Sequence, residues 1–415
     1  MRIGRTLPPA AAPIKLADII SGVRGLVRGE REIRRFEAEL TADFNVNHCF
    51  LLSSGKAALT IVLKALHRQN PHKNEVIIPA YTCYSVPSAI CRAGLKIRLC
   101  DIDPATLDFD FNCLEEVLSD KASAVSENRV LAVIPTHLFG VPSDVKRTRE
   151  ITAEHGVLMI EDAAQAMGGE LQGQRLGTFG DAGFFSLGRG KAFSTVEGGI
   201  ILTDNSILAK QIQGAIDNIP DYRLFEILKL FVYSVALNVF MHPAFFWLPK
   251  SLPFLKLGET VFEISFPLKK MSSLQAGLAR NWQVRLKQLA HARRHGSRLL
   301  RAALEINETD EKKKGYKLFQ QLEEQETLLR FPVRIVNDEL LRQIVLKGNQ
   351  KGLGIMRGYP DAIHRIDALK EYFKNTSYPG AVHVARTLIT LPVHVFVSLG
   401  NFKEIMALMI NPRQS

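Results

Sequence analysis

Along the first half of the chain, short apolar runs alternate with longer stretches in which apolar residues recur every three or four positions. The short runs read as buried strands and the longer stretches as amphipathic helices. An arm at 1–30, punctuated by Pro8, Pro9 and Pro13 and only partly ordered, carries a short amphipathic run around Leu16–Val27. Glu30 to Phe44 reads as a helix. Leu51-Leu52-Ser53-Ser54-Gly55 leads into the helical run Lys56–His67, and Glu75–Pro79 is a short strand before a helix at Ser85–Ala93, closed by Gly94. Ile97–Cys100, Val130–Pro135, Val157–Asp162, Gly183–Ser186 and Gly199–Thr203 complete the strands, with a helix from Ser143. Strands this apolar, separated by helices, predict a mainly parallel sheet covered on both faces, an α/β fold.

The pattern then changes. Of the 25 residues in 224–248, 19 are apolar. A spanning helix needs about 20 predominantly apolar residues, and Glu226, Lys229, Asn238 and Pro243 interrupt this one. Three readings stand: an extra core or interface helix, a helix lying in a membrane interface with Phe245, Phe246 and Trp247 at headgroup level, or a span. Regular patterning resumes at Met271 with one long helix to Leu304, then a strand at Leu328–Val336 and a helix at Asp338–Lys351. Tyr359-Pro360 and Tyr378-Pro379 read as turns. The expected organisation is an arm (1–30), a large domain (31–221), an apolar insertion (222–270) and a long helix with a smaller α+β domain (271–415).

Composition narrows the partners. With 46% hydrophobic and 23% charged residues, the chain is globular rather than disordered. The net charge of +11 points to anionic partners. No nucleic-acid-binding motif accompanies it, so phosphorylated small molecules or an anionic membrane surface are expected instead. Five scattered cysteines without metal-ligand spacing predict neither a disulfide framework nor a metal site. The prolines between 8 and 13 break the apolar core a signal peptide would need, so a cytoplasmic location is expected.

Lys191 lies in a Gly188-Arg189-Gly190-Lys191 turn directly after an apolar strand, 29 residues beyond Asp162, which closes another. Both fall at the carboxyl ends of strands, where α/β proteins bind ligands. An amine and a carboxylate so placed suit pyridoxal phosphate: the amine bonds the aldehyde, and the acid keeps the ring nitrogen protonated. Ser54-Gly55-Lys56 sits where a strand turns into a helix, a place for the phosphate group, with Ser186 as a second phosphate ligand. His137, His364 and His394 read as structural or pocket-lining residues.

These residues carry a resemblance. Ser54-Gly55-Lys56-Ala57-Ala58-Leu59, Val76 to Thr82, Asp101-Ile102-Asp103-Pro104 and His137-Leu138-Phe139-Gly140 are similar to motifs of the DegT/DnrJ/EryC1/StrS family. So are Glu161 to Ala166, Gly180 to Gly183, Glu197-Gly198-Gly199 and Leu391-Pro392-Val393-His394. The resemblance implies the pyridoxal-phosphate-dependent transferase fold of type I. Lys191 becomes the lysine that bonds the cofactor, Asp162 the partner of its ring nitrogen, and Gln165 a neighbour of its phenolic oxygen. Ser186 and the Ser54-Gly55-Lys56 turn hold its phosphate. The implied activity moves an amino group from glutamate or glutamine onto a keto group of a nucleotide-linked sugar, in homodimers with shared active sites. A lysine rather than a histidine at 191 favours transamination over dehydration. The departures are local. Lys56 replaces a threonine or asparagine, Ala192 replaces an asparagine, and the ring-stacking aromatic aligns with Cys83, leaving Tyr84 or Tyr81 as substitutes. An asparagine that reaches the neighbouring subunit aligns near Leu268. These changes motivate a rival expectation, a catalytically inactive relative serving as a membrane-associated scaffold or regulatory subunit.

Overall fold

The computed structural model describes residues 2–119, 129–252, 260–306, 315–319 and 327–410. Helix α1 (Leu16–Arg28) and helix α2 (Glu30–Phe44) lead into strand β1 (His48–Leu52). Helix α3 (Gly55–Gln69) follows, its first turn closed by Ser54 Oγ accepting Ala57 N–H at 3.1 Å. Strand β2 (Glu75–Pro79), α4 (Ser85–Arg92), β3 (Lys96–Cys100), α5 (Phe111–Ser119), β4 (Val130–Val133), α6 (Val145–Glu154) and β5 (Leu158–Asp162) continue the alternation. A small hairpin, β6 (Glu170–Leu171) and β7 (Gln174–Arg175), precedes β8 (Ala182–Ser186), β9 (Gly199–Thr203) and α7 (Ser206–Asp217).

Seven of these strands form one sheet in the order β1-β9-β8-β5-β4-β2-β3. Only β9 runs against the rest, since it pairs antiparallel with both β1 and β8. The expected mainly parallel sheet is therefore present. Its strands are nearly continuous in apolar residues because helices cover both faces.

Beyond α7, the apolar stretch forms helix α8 (Leu224–Phe240) and helix α9 (Pro243–Lys250), parted where Pro243 begins the second. Among the described residues, no helix is long and apolar enough to cross a membrane. The single long helix expected from Met271 is two: α10 (Ser273–Leu278) and α11 (Trp282–Ile306). Asn281 between them is left-handed, with φ of 63°, a conformation that ends helices and that asparagine tolerates. Then come β10 (Tyr316–Lys317), β11 (Phe331–Ile335), α12 (Asp338–Lys351), β12 (Met356–Arg357), α13 (Pro379–Thr387), β13 (Leu388–Leu391) and α14 (Leu399–Ile410). The four short strands form an antiparallel sheet in the order β10-β11-β13-β12.

The amino-terminal arm is pinned to this second unit rather than loose. Leu7, Ala11, Ala12 and Ile14 are buried. Leu7 N–H donates to Gly352 O at 2.8 Å, and His394 Nε2 lies 2.7 Å from Pro8 O.

Candidate active site

The carboxyl ends of β5 and β8 set the centre. Asp162 ends β5, its backbone N–H donating to Pro135 O at 2.9 Å and its carbonyl accepting His137 N–H at 3.1 Å. Its neighbour Glu161 points to the other face of the sheet, as alternation along a strand requires. There the Glu161 carboxylate is saturated: it accepts from His137 Nε2 at 3.0 Å, Gly177 N–H at 2.8 Å, Gly180 N–H at 2.9 Å and also Phe179 N–H. His137 Nδ1 accepts Ser143 N–H at 3.1 Å, so both ring nitrogens are engaged in structure.

Asp162 is different. Among the described residues its carboxylate takes one hydrogen bond, from Ala164 N–H at 3.0 Å. Burial raises its pKa above 3.8, opposed by the charge of Lys191, the Ala164 N–H and the charge of His137. The lysine and the acid predicted from sequence therefore lie within one electrostatic field. Lys191 itself is half-buried at the end of a turn, its N–H donating to Gly188 O at 3.2 Å. The turn is tied at both flanks: Gly188 N–H donates to Ser186 Oγ at 3.4 Å, and Arg293 Nη2 reaches Lys191 O at 3.5 Å.

Ser186 ends β8 against the start of α3. A Cβ on Gly55 would sit 2.8 Å from Ser186 Cβ, and one on Gly199 would sit 2.1 Å from Ser54 O. Only glycine lets the helix start, the serine and the strand approach so closely. The result is a cradle of helix-start backbone and a hydroxyl at the positive end of a helix, which fits a phosphate group. Together with the Asp162–Lys191 pair, it fits pyridoxal phosphate.

The remaining predicted residues are placed less uniformly. Lys56 Nζ turns to Glu263 Oε2 at 3.6 Å and lies over the Phe266 ring at 4.5 Å. Cys83 Sγ lies 3.6 Å from Thr260 Oγ1. Both partners belong to the end of the apolar insertion, which is also tied to the helix start by Ser53 N–H donating to Lys269 O at 2.9 Å. So residues 260–270 wall one side of the site, a role their composition did not announce. Tyr84 faces the second unit: its hydroxyl donates to Asp361 O at 3.1 Å and accepts Asp361 N–H at 2.9 Å. Gln165 is buried and donates through Nε2 to Tyr359 Oη at 2.9 Å.

Tyr359 is the residue that sequence reading assigned to a turn and that the fold brings into the centre. Its N–H donates to Tyr81 Oη at 2.8 Å, and its ring stacks on Phe139 with centroids 5.9 Å apart. Burial raises its pKa well above 10, with Cys83, Arg330 and Asp162 all close enough to act on it. A tyrosine followed by proline carries no sequence signal for this, because the contact spans the two sheets.

The DegT/DnrJ/EryC1/StrS aminotransferase family profile matches residues 20–409. The L-glutamine:2-deoxy-scyllo-inosose aminotransferase of Streptomyces kanamyceticus is 32% identical over 192 residues, 46% of this chain and 43% of that protein. The UDP-N-acetyl-3-dehydro-alpha-D-glucosamine 3-aminotransferase of Acidithiobacillus ferrooxidans is 31% identical over 182 residues, 44% of this chain and 47% of that one. The matches thus span about half the length of these curated relatives. In fold, the chain is similar to Helicobacter pylori PseC, an aminotransferase involved in pseudaminic acid biosynthesis. The TM-score is 0.77 at 14% identity, with 99% of this chain and 100% of that chain covered. The profile takes in nearly the whole sequence, across both sheets and every residue of the site, so this chain belongs to the DegT/DnrJ/EryC1/StrS aminotransferase family.

Proposed function

We propose that this protein is a pyridoxal-phosphate-dependent aminotransferase that moves an amino group from glutamate or glutamine to a keto-sugar, carried on a nucleotide, in glycan biosynthesis. The observation that carries this reading is the buried Asp162 carboxylate, sparsely hydrogen-bonded and lying in the field of Lys191. The amino-group acceptors named for the relatives, a keto-inosose and a 3-dehydro-glucosamine nucleotide, support the substrate class.

When bound, pyridoxal phosphate supplies an aldehyde that captures amines and a ring that accepts electrons from the bond being broken. The chain supplies the rest. Asp162 holds a proton on the ring nitrogen, because a buried carboxylate is stabilised by an adjacent cation and strongly favours one. The α3 start and Ser186 Oγ hold the phosphate end and fix the ring's orientation. Lys191 Nζ would bond the aldehyde and, when free, would serve as the base that carries the proton of the reacting carbon. Gln165, fixed by Tyr359, places a donor on the ring-oxygen side.

Added pyridoxal phosphate should give the purified protein an absorbance band at about 410–430 nm, absent in Lys191→Ala of intact fold. Glutamate should then move the band toward about 330 nm. A coloured protein that ignores every amino donor would favour the scaffold or regulatory reading, and a colourless one would remove the enzyme reading. The working form in this proposal is a cytoplasmic homodimer. The unpartnered outer face of α8 is covered by a second copy, with peripheral contact of 224–248 with a membrane as the competing outcome.

A further inference from the structure

Two arginines of α11 hold the amino-terminal arm against the segment that carries Lys191. Arg285 and Arg293 lie close to two helical turns apart and so share one side of the helix. Arg285 Nη2 donates to Pro13 O at 3.4 Å, while its Cζ lies 4.5 Å from the Phe193 ring centroid. Arg293 Nη2 donates to Ala11 O at 3.2 Å and to Lys191 O at 3.5 Å. Each arginine therefore bridges the arm to the same short segment. Apolar packing follows that route as well, since Ile14 and Val196 belong to one buried cluster. The two arginines differ in charge balance. Arg285 pairs with Asp18 at 3.3 Å, whereas no carboxylate among the described residues pairs with Arg293. Arg293 is buried, and burial lowers its pKa to about 10, which leaves it charged near neutral pH. A buried charge has to be met by polar groups. Backbone carbonyls meet this one, and they belong to the arm and to the lysine.

We propose that Arg293 is a positioning residue for Lys191 and that the arm locks it in place, which makes residues 6–14 a working part of the cofactor site. This deepens the pyridoxal phosphate reading and rests on it. Lys191 follows Gly190, which is left-handed with φ of 74°, so the turn brings little stiffness of its own. The lysine N–H is held from inside the turn, by Gly188 O. Its carbonyl is held from outside, and among the described residues Arg293 is the sole donor to it. A guanidinium suits the task because Nη2 carries two N–H bonds in a fixed plane, one for each carbonyl. Displacing the arm leaves one of those N–H bonds without its acceptor and frees the guanidinium to turn away from the lysine.

Two forms of the cofactor separate this role from a general loss of fold. Pyridoxal phosphate bonds a lysine Nζ through its aldehyde carbon, with release of water. Pyridoxamine phosphate carries an amine in that place and forms no such bond, yet offers the same ring and phosphate. The full chain, stripped of cofactor, is titrated with each form as wild type, Arg293→Gln, Arg293→Lys and Leu7→Asp. The last puts a charge on a buried arm residue and leaves Arg293 intact; circular dichroism checks the fold of all four. A hydrogen bond from a charged group is worth about ten-fold or more in an equilibrium constant, so Arg293→Gln should weaken pyridoxal phosphate by that factor. Pyridoxamine phosphate should weaken less than about three-fold, and Arg293→Lys should recover part of the loss. Leu7→Asp should show the same selective loss, and adding it to Arg293→Gln should cost little more, because the two act as one unit. Equal weakening of both forms, no weakening of either, or full additivity in the double variant would overturn the assignment. If wild type binds neither form, the cofactor reading fails and hydrogen exchange decides the positioning role. Protection of the Lys191 and Thr195 amides, both hydrogen-bonded within the segment, then falls in Arg293→Gln and Leu7→Asp if Arg293 holds the turn, and stays unchanged if it does not.

Discussion

Side by side at the end of β5, Glu161 and Asp162 face opposite sides of the sheet and meet opposite surroundings. Glu161 is held by backbone N–H groups and His137, whereas among the described residues Asp162 has one hydrogen bond and the charge of Lys191. Burial therefore sets the balance for Asp162 and raises its pKa. Between 3.8 and that raised value, the folded chain holds a proton that the unfolded chain has released. Folding stability contributed through Asp162 is thus greatest at low pH and declines as pH rises through that window. For protein stripped of cofactor, Asp162→Asn should gain stability relative to wild type as pH rises above 3.8. Urea midpoints for the two proteins across that range check it, and parallel curves would contradict it. Lys191, Asp162, Gln165 and Ser186 were legible in the sequence because each sits beside a strand end or in a local motif. Tyr359 was not. It enters the site from the second unit, across 194 residues in the Gln165–Tyr359 contact, and no local period or cap marks such a residue.

Elements with local signals were read well. Helix α12 runs from Asp338 to Lys351 as its pattern predicts, capped by Asn337 and ended by left-handed Gly352. The break at Asn281 escaped because apolar periodicity continues on both sides of it. The arm escaped because prolines read as loop, while its order comes from distant partners. Those partners give it a pH response. Burial pushes His394 down to about 4, with its Nε2 against Pro8 O and Arg293 nearby. Arg293 Nη2 also holds the arm, donating to Ala11 O at 3.2 Å, and reaches the Lys191 carbonyl at 3.5 Å. Between its ordinary 6.5 and about 4, His394 takes a proton in the unfolded chain but not in the folded one. Acidification through that window therefore costs stability, up to on the order of 3 kcal/mol. Hydrogen-exchange protection factors of residues 6–14, corrected for the slower intrinsic exchange in acid, should fall markedly at about pH 5 relative to about pH 7.5. In His394→Gln, which has no proton to gain, that fall should shrink or vanish. An arm equally protected in wild type at both pH values would contradict this account.

For the whole molecule the open question is what covers α8. One side of the helix is used internally: Leu230 and Ser234 are buried, and Asn238 Nδ2 donates to Ile14 O at 2.8 Å. The other side is apolar yet bare, with Phe225 at 75% exposure, Leu228 at 55%, Val232 at 54%, and Val235 and Val239 at 41%. A helix apolar all round is normally covered all round. The spacing of these five residues alternates three and four, the repeat of a narrow helix–helix seam, and its last three positions are valines. No ionisable side chain lies in the seam. A lipid-facing helix would instead show a broad apolar arc bordered by cations, so a second copy of α8 is the better fit. Sedimentation should give a dimer for wild type, and Leu228→Lys with Val232→Lys should weaken it. Each lost apolar side chain is worth about 1.5–3 kcal/mol, so the pair should raise the dissociation constant at least about 100-fold. Circular dichroism should stay unchanged, because both positions face outward in the single chain. A double variant that still dimerises as wild type but no longer sediments with anionic vesicles would transfer the face from a second protein copy to a membrane.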